Sequence, residues 1–181
     1  MKAFRLKEIL IPTVTLTLIC AIAACALAFS DALTSEKIAQ LDAENKAASM
    51  QKVLQAANYQ ALTDDDTSDM FYAAVDSSGK TIGYVASCSA VGYGGDISVM
   101  VGIDSNGTVT AIDIVSCDDE TPGLGQKVKN EDFTAQFSGV KDAAVFGENV
   151  DAISGATISS EAVRTAVNNA LSMYDSYKQE G

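Results

Sequence analysis

The sequence contains no histidine. That absence excludes imidazole-ligated metal sites, Ser-His and Cys-His nucleophile systems, and any side chain that titrates near neutral pH unaided. No dinucleotide-binding glycine fingerprint occurs, and the cysteines at 20, 25, 88 and 117 do not form the cluster that holds iron and sulfur. Basic residues are scarce, 12 Lys and Arg against 24 Asp and Glu. The resulting net charge of -12 repels a phosphate backbone, so no nucleic-acid partner is expected. What is present is 181 residues, 48% of them hydrophobic, enough for one folded domain with a short appendage and too little for a second catalytic domain.

From Ile9 to Phe29 no residue is charged, and at about 1.5 Å per residue a helix of that length spans the roughly 30 Å core of a bilayer. Lys2, Arg5 and Lys7 precede it and Asp31 and Glu36 follow, so the positive-inside rule predicts a cytoplasmic N-terminus and an outward-facing remainder. The expected organisation is a cytoplasmic N-terminus (1–8), a single transmembrane helix (9–30) in the cell membrane, a stalk helix (31–62) and an extracytoplasmic domain (63–181). Ile38, Leu41, Ala48, Val53 and Leu54 recur along the stalk at an imperfect helical spacing. Beyond residue 30 there are 9 basic against 23 acidic residues, so the exported part is strongly acidic. Two other readings of the apolar run are a cleaved signal peptide and a lipoprotein signal with Cys25 lipidated; the apolar run continuing through Phe29 argues against the second. Pro12 is tolerable in a membrane helix, and Cys20 and Cys25 read as packing residues there.

The stretch from Thr63 to Asp69 is acidic but lacks the glycine and distal glutamate of an EF-hand loop, so a solvated loop is expected. Strand-like runs follow at Phe71 to Val75, Thr81 to Ser89, Ile97 to Ile103 and Thr108 to Val115, with turns at Ser77–Lys80, Gly92–Gly95 and Asp104–Gly107. The last 23 residues place Val163, Ala166, Val167, Ala170, Leu171 and Tyr174 on one helical stripe. An antiparallel sheet packed with helices is predicted, an α+β layer fold. Cys88 and Cys117 read either as a disulfide, which an extracytoplasmic location favours, or as two small apolar residues on strands.

Asp151-Ala152-Ile153-Ser154-Gly155-Ala156-Thr157 lies just before a helix expected to start near Ser159 or Ser160. Small residues let the backbone approach a ligand, and free amides at a helix N-terminus attract an anion such as phosphate. Local physics equally allows a plain turn with a threonine or serine cap. The Asp-x-x-Ser-Gly-Ala-Thr pattern resembles the flavinylation motif of the FMN-binding domain family, in which a flavin transferase esterifies the threonine hydroxyl with the phosphate of FMN. That resemblance implies covalent FMN on Thr157, a phosphoester-modified protein, with Ser154, Gly155 and Ala156 shaping the site.

Glu120-Thr121-Pro122-Gly123-Leu124-Gly125-Gln126-Lys127 is similar to a signature of the G-subunit family of the Rnf electron-transport complex, itself related to the C subunit of the sodium-translocating NADH:quinone reductase. Physically the loop suits a flavin: Pro122 and two glycines fix the backbone, Glu120, Thr121 and Gly125 offer polar edges, and Leu124 offers an apolar face. Lys127 is expected to balance negative charge on the reduced ring or phosphate, and the alternative for both Lys127 and Glu120 is a solvated salt bridge. Tyr84 and Tyr93 read as core tyrosines or ring-stacking ones. The resemblance implies an electron relay between ferredoxin and NAD coupled to sodium or proton translocation, with no catalytic residue and no metal site of its own, partnered by the other Rnf membrane subunits and matured by the transferase. A freestanding extracytoplasmic flavoprotein and a non-redox binding module are the alternatives.

Overall fold

The computed structural model describes residues 6–63 and 69–180. Lys2 and Arg5, used above to orient the apolar run, and residues 64–68 of the expected solvated loop lie outside the described residues. One helix, α1, runs over Leu6–Val53 with Pro12 inside it, and the boundary between two compact units falls within it, between Glu44 and Asn45. In the first unit Leu10–Ser35 is long and apolar enough to cross a membrane, and its large side chains, Ile22 and Phe29 among them, are exposed.

The second unit is built on a five-stranded antiparallel sheet whose strands lie side by side in chain order: β1 (Asn58–Ala61), β2 (Met70–Val75), β3 (Thr81–Val91), β4 (Asp96–Asp104) and β5 (Val109–Ser116). Two of its hairpins are closed by the same device. Asp76 Oδ1 accepts the amides of Ser78 and Lys80 at 2.8 and 3.0 Å, and Asp104 Oδ1 accepts those of Asn106 and Thr108 at 2.8 and 2.9 Å. An aspartate thereby mimics a backbone turn, and the glycine three residues on, Gly79 or Gly107, supplies the positive φ that the geometry demands.

Alternation along β4 assigns the faces. Ile97, Val99, Val101 and Ile103 point into the larger core, while Met100 joins a smaller cluster on the opposite face. The larger core lies under α3 (Thr157–Glu180), whose Val163, Ala166, Val167, Ala170 and Leu171 are buried at the i, i+3, i+4 spacing of one stripe. Burying each such Val or Leu contributes on the order of 1.5–3 kcal/mol. A charge at Ala166, which is fully buried, would break this face. The opposite face is covered by the end of α1: Met50 and Val53 pack with Tyr72, Val85 and Met100. Thr110 Oγ1 donates to the Val53 carbonyl at 2.6 Å and Ser49 Oγ to Asp113 at 2.6 Å. A side chain at Gly102 would collide with the Val53 carbonyl oxygen, so this glycine permits the approach.

The stalk expected over residues 31–62 is corrected at its end. The helix stops at Val53, where the Tyr59 hydroxyl donates to the Leu54 carbonyl at 2.6 Å, and Asn58–Ala61 pairs with Val75–Tyr72 as an edge strand. Between β5 and α3 the chain winds through a 3₁₀ turn (Gly125–Lys129), a short helix α2 (Glu131–Thr134) and a second 3₁₀ turn (Ala135–Phe137). These drop Val128, Phe133 and Phe137 into the core, the two rings edge to face at 5.4 Å.

Candidate functional site

Three stretches distant in sequence meet at the N-terminal end of α3. Tyr93 comes from the β3–β4 turn, Glu120, Thr121, Leu124 and Gly125 from the loop after β5, and residues 155–159 from the start of α3. Together they line a cavity of about 580 Å³, a volume typical of small-molecule sites.

Glu120 joins the three. It is 1% exposed; Oε1 accepts the amides of Tyr93 at 2.7 Å and Gly94 at 3.1 Å, and Oε2 accepts the Ser159 hydroxyl at 2.6 Å. Burial alone would raise its carboxyl, but the hydrogen bonds from Ser159, Gly94 and Tyr93 outweigh it and hold the pKa below the ordinary glutamate value. Of the two readings of Glu120, the solvated salt bridge is not realised: the residue is a buried, fully hydrogen-bonded carboxylate on the cavity wall. Side chains at Gly92 or Gly125 would strike its two oxygens, which is why this carboxylate is flanked by glycines.

The start of α3 also differs from the expected Ser159 or Ser160. Gly155, at φ 81°, turns the chain through the left-handed region, and the Ala156 amide donates to the Ile153 carbonyl at 2.9 Å. Ser160 Oγ accepts the Ile153 amide at 3.0 Å and donates to the Ala156 carbonyl at 2.9 Å, so the turn closes early and helix begins at Thr157. Ala156 occupies the capping position and has no side-chain acceptor to offer; the threonine-cap reading is not realised. Among the described residues, the amides of Thr157, Ile158 and Ser159 have no acceptor. They and the helix dipole favour an anion at this end of the cavity, beside the exposed Thr157.

Of the residues singled out from sequence, Glu120, Thr121, Leu124, Gly125, Gly155, Ala156 and Thr157 converge on the cavity. Ser154 is exposed and is not among its lining residues. Lys127 lies on a separate depression with Asn130, Asp151 and Ile153. The 3₁₀ turn explains this: with three residues per turn, Gly125 and Val128 share the buried side and Lys127 falls outside it. Tyr84 is a core residue, stacked on Phe71 at 5.3 Å and edge-on to Tyr174 at 5.4 Å, whereas Tyr93 is 71% exposed on the cavity wall. Sequence reasoning missed Ile158 and Ser159. An isoleucine left 53% exposed in the first turn of a helix becomes a signal only once the helix start is known.

Cys88 and Cys117 are both buried and unpaired. Burial, reinforced by the charge of Asp69, pushes the Cys88 thiol up to about 12, and burial also raises Cys117. Both behave as small apolar core residues and not as a disulfide.

Residues 92–172 match the FMN-binding domain family. Over 177 residues the chain is 38% identical to the G subunit of the ion-translocating oxidoreductase complex of Methanosarcina acetivorans, covering 91% of this chain and 94% of that protein. It is 32% identical to the G subunit of the Na(+)-translocating ferredoxin:NAD(+) oxidoreductase complex of Acetobacterium woodii, over 88% of each. The solved C subunit of the Na(+)-translocating NADH-quinone reductase of Parabacteroides distasonis shares 28% identity and a TM-score of 0.49, over 59% of this chain and 60% of that one.

Proposed function

Since the chain belongs to the G-subunit family of ion-translocating oxidoreductase complexes, we propose that it carries FMN, esterified to Thr157, as an electron relay within an Rnf-type complex that couples ferredoxin:NAD oxidoreduction to ion translocation. The observation that carries this reading is the position of Thr157: the first residue of α3, exposed, on the wall of the cavity built by the 120–125 loop.

The residues present fit the group. The uncapped amides of Thr157, Ile158 and Ser159 suit a phosphate, while Leu124, Ile158 and Tyr93 are apolar surfaces suited to a flat ring. When bound, FMN supplies the one- and two-electron chemistry. The chain's own part is to hold and orient: Gly125 leaves room for the Glu120 carboxylate and the Ser159 hydroxyl, Gly155 makes the left-handed turn before Thr157, and Glu120 keeps the turn, the loop and the helix end in register.

Thr157 has no imidazole to activate its hydroxyl, so attachment falls to a separate flavin transferase with FAD as donor. The Thr157 Oγ1–phosphorus bond forms as the pyrophosphate bond of FAD breaks, and AMP leaves with the hydroxyl proton taken by the enzyme's base. Topology follows the charge asymmetry: residues 1–8 in the cytoplasm, one crossing by the apolar part of α1, and the FMN-bearing domain outside, among the other membrane subunits. A covalent tether suits that side of the membrane, where a dissociable flavin would be lost by dilution.

Intact-protein mass spectrometry after co-expression with a flavin transferase tests this reading. Wild type is expected to gain the mass of FMN less one water, with the adduct mapped to Thr157, and Thr157→Ala to gain none while still inserting in the membrane. An adduct on another residue, or none, would refute it.

A further inference from the structure

Among the described residues, one formal charge lines the cavity. Of the ten residues on its wall only Glu120 is ionic, and the lysine nearest in sequence, Lys127, is on a different depression. Lys129 is engaged at 3.2 Å with Asp118. The carboxylate cannot swing away, because both oxygens are committed: one to the amides of Tyr93 and Gly94, the other to the Ser159 hydroxyl. Nor is it diluted by solvent, being 1% exposed. Those same bonds keep it ionised at neutral pH. A fixed, desolvated anion acts on a neighbouring group far more strongly than one in water.

We propose that Glu120 is a tuning residue whose locked negative charge lowers the reduction potential of the flavin carried on Thr157. The proposal rests on the flavin-carrier reading above. Two-electron reduction of the ring also takes up one or two protons from solvent, and any part of the added charge left unneutralised meets the charge of Glu120 at the cavity wall, where the carboxylate itself is out of water. The oxidised form is favoured and the couple becomes more reducing. The Ser159 hydroxyl opposes this in part, since its dipole, pointing at Oε2, neutralises some of the carboxylate's field.

Two variants therefore move the potential in opposite directions, which a purely architectural role would not produce. Glu120→Gln keeps an acceptor for the Tyr93 and Gly94 amides and removes the charge. Ser159→Ala keeps the charge and removes the screening dipole. The full-length chain is co-expressed with a flavin transferase and purified in detergent. Adduct formation on Thr157 is verified by mass, and the flavin is titrated spectroelectrochemically with mediator dyes at pH 7. Glu120→Gln is expected to shift the reduction equilibrium toward the reduced form at least tenfold, about 30 mV for a two-electron couple. Ser159→Ala is expected to shift it several-fold the other way.

An unchanged or lowered potential in Glu120→Gln overturns the proposal, as do shifts of the same sign in both variants. If Glu120→Gln fails to load, Ser159→Ala decides alone: a lowered potential supports the tuning role and an unchanged or raised one overturns it. Absence of any adduct on wild-type Thr157 overturns the carrier reading and the tuning role together, whereas a normal adduct with a Glu120-independent potential overturns only the second.

Discussion

Glu120→Ala tests whether the cavity is held open by one carboxylate. The substitution strips acceptors from two backbone amides and one hydroxyl at a site that is 1% exposed. Leaving a buried donor unsatisfied costs about 1–3 kcal/mol each. The space vacated adjoins the cavity, so water can replace part of the loss, and a total of roughly 2–4 kcal/mol is expected. For a domain of this size that corresponds to a fall in melting temperature on the order of 10 °C. Acid unfolding carries a signature of the same group. Its folded pKa is depressed, so its contribution is present above the unfolded value near 4.5 and is lost as pH falls through the folded pKa. Wild type should therefore lose stability between about pH 5 and the folded pKa more steeply than Glu120→Ala. The assays are thermal unfolding of the full chain in detergent across pH, and hydrogen exchange of the peptide containing Tyr93 and Gly94, whose amides should lose protection in the variant. Melting within about 2 °C of wild type, with unchanged exchange at those amides, would refute the assignment of Glu120 as the joint between turn, loop and helix.

Leu124→Asp should shift the flavin absorption spectrum and potential while leaving the Thr157 adduct detectable by mass, because the apolar wall and the ester are separate contacts; an unchanged spectrum would remove Leu124 from the site. Gly102→Ala forces a methyl group against the Val53 carbonyl oxygen and should destabilise the sheet by about 2 kcal/mol or more, read as a lower denaturation midpoint. In a variant lacking Cys20 and Cys25, a thiol reagent at pH 8 should leave Cys88 unmodified in the native protein and label it on denaturation, since burial pushes its thiol up to about 12. Impermeant labelling of a cysteine appended at the C-terminus of intact cells should succeed, and protection of it would reverse the topology.

The meander was legible because it is written in period two: Ile97, Val99, Val101 and Ile103 alternate without a break, and aspartate-glycine turns punctuate the hairpins. The α3 stripe was legible for the same reason at period 3.6. Strand β1 was not, since Asn58–Ala61 has no alternation and exists by pairing with β2. The helical stretch Gly125–Phe137 was also missed as structure, its buried Val128, Phe133 and Phe137 being separated by polar residues in turns too short to show a period. At the site, motif residues identified the loop and the threonine, but two details depended on three-dimensional context. The helix begins at Thr157 because Ser160 reaches back to the turn, and Lys127 misses the cavity because a 3₁₀ turn and not a loop carries it.

The joint at Glu120 spans separations of 27 residues to Tyr93 and 39 to Ser159. Closing loops of that length is entropically unfavourable until both partners are already near, so these bonds are expected to form after the local β3–β4 and β4–β5 hairpins. Interactions absent from the folding transition state govern how fast a protein opens and leave its folding rate almost untouched. Weakening the joint should thus shorten the lifetime of the assembled cavity, with refolding proceeding at nearly the wild-type rate. The opening rate at this corner of the domain would then set how long Thr157 stays presented to a modifying enzyme between one excursion from the native state and the next.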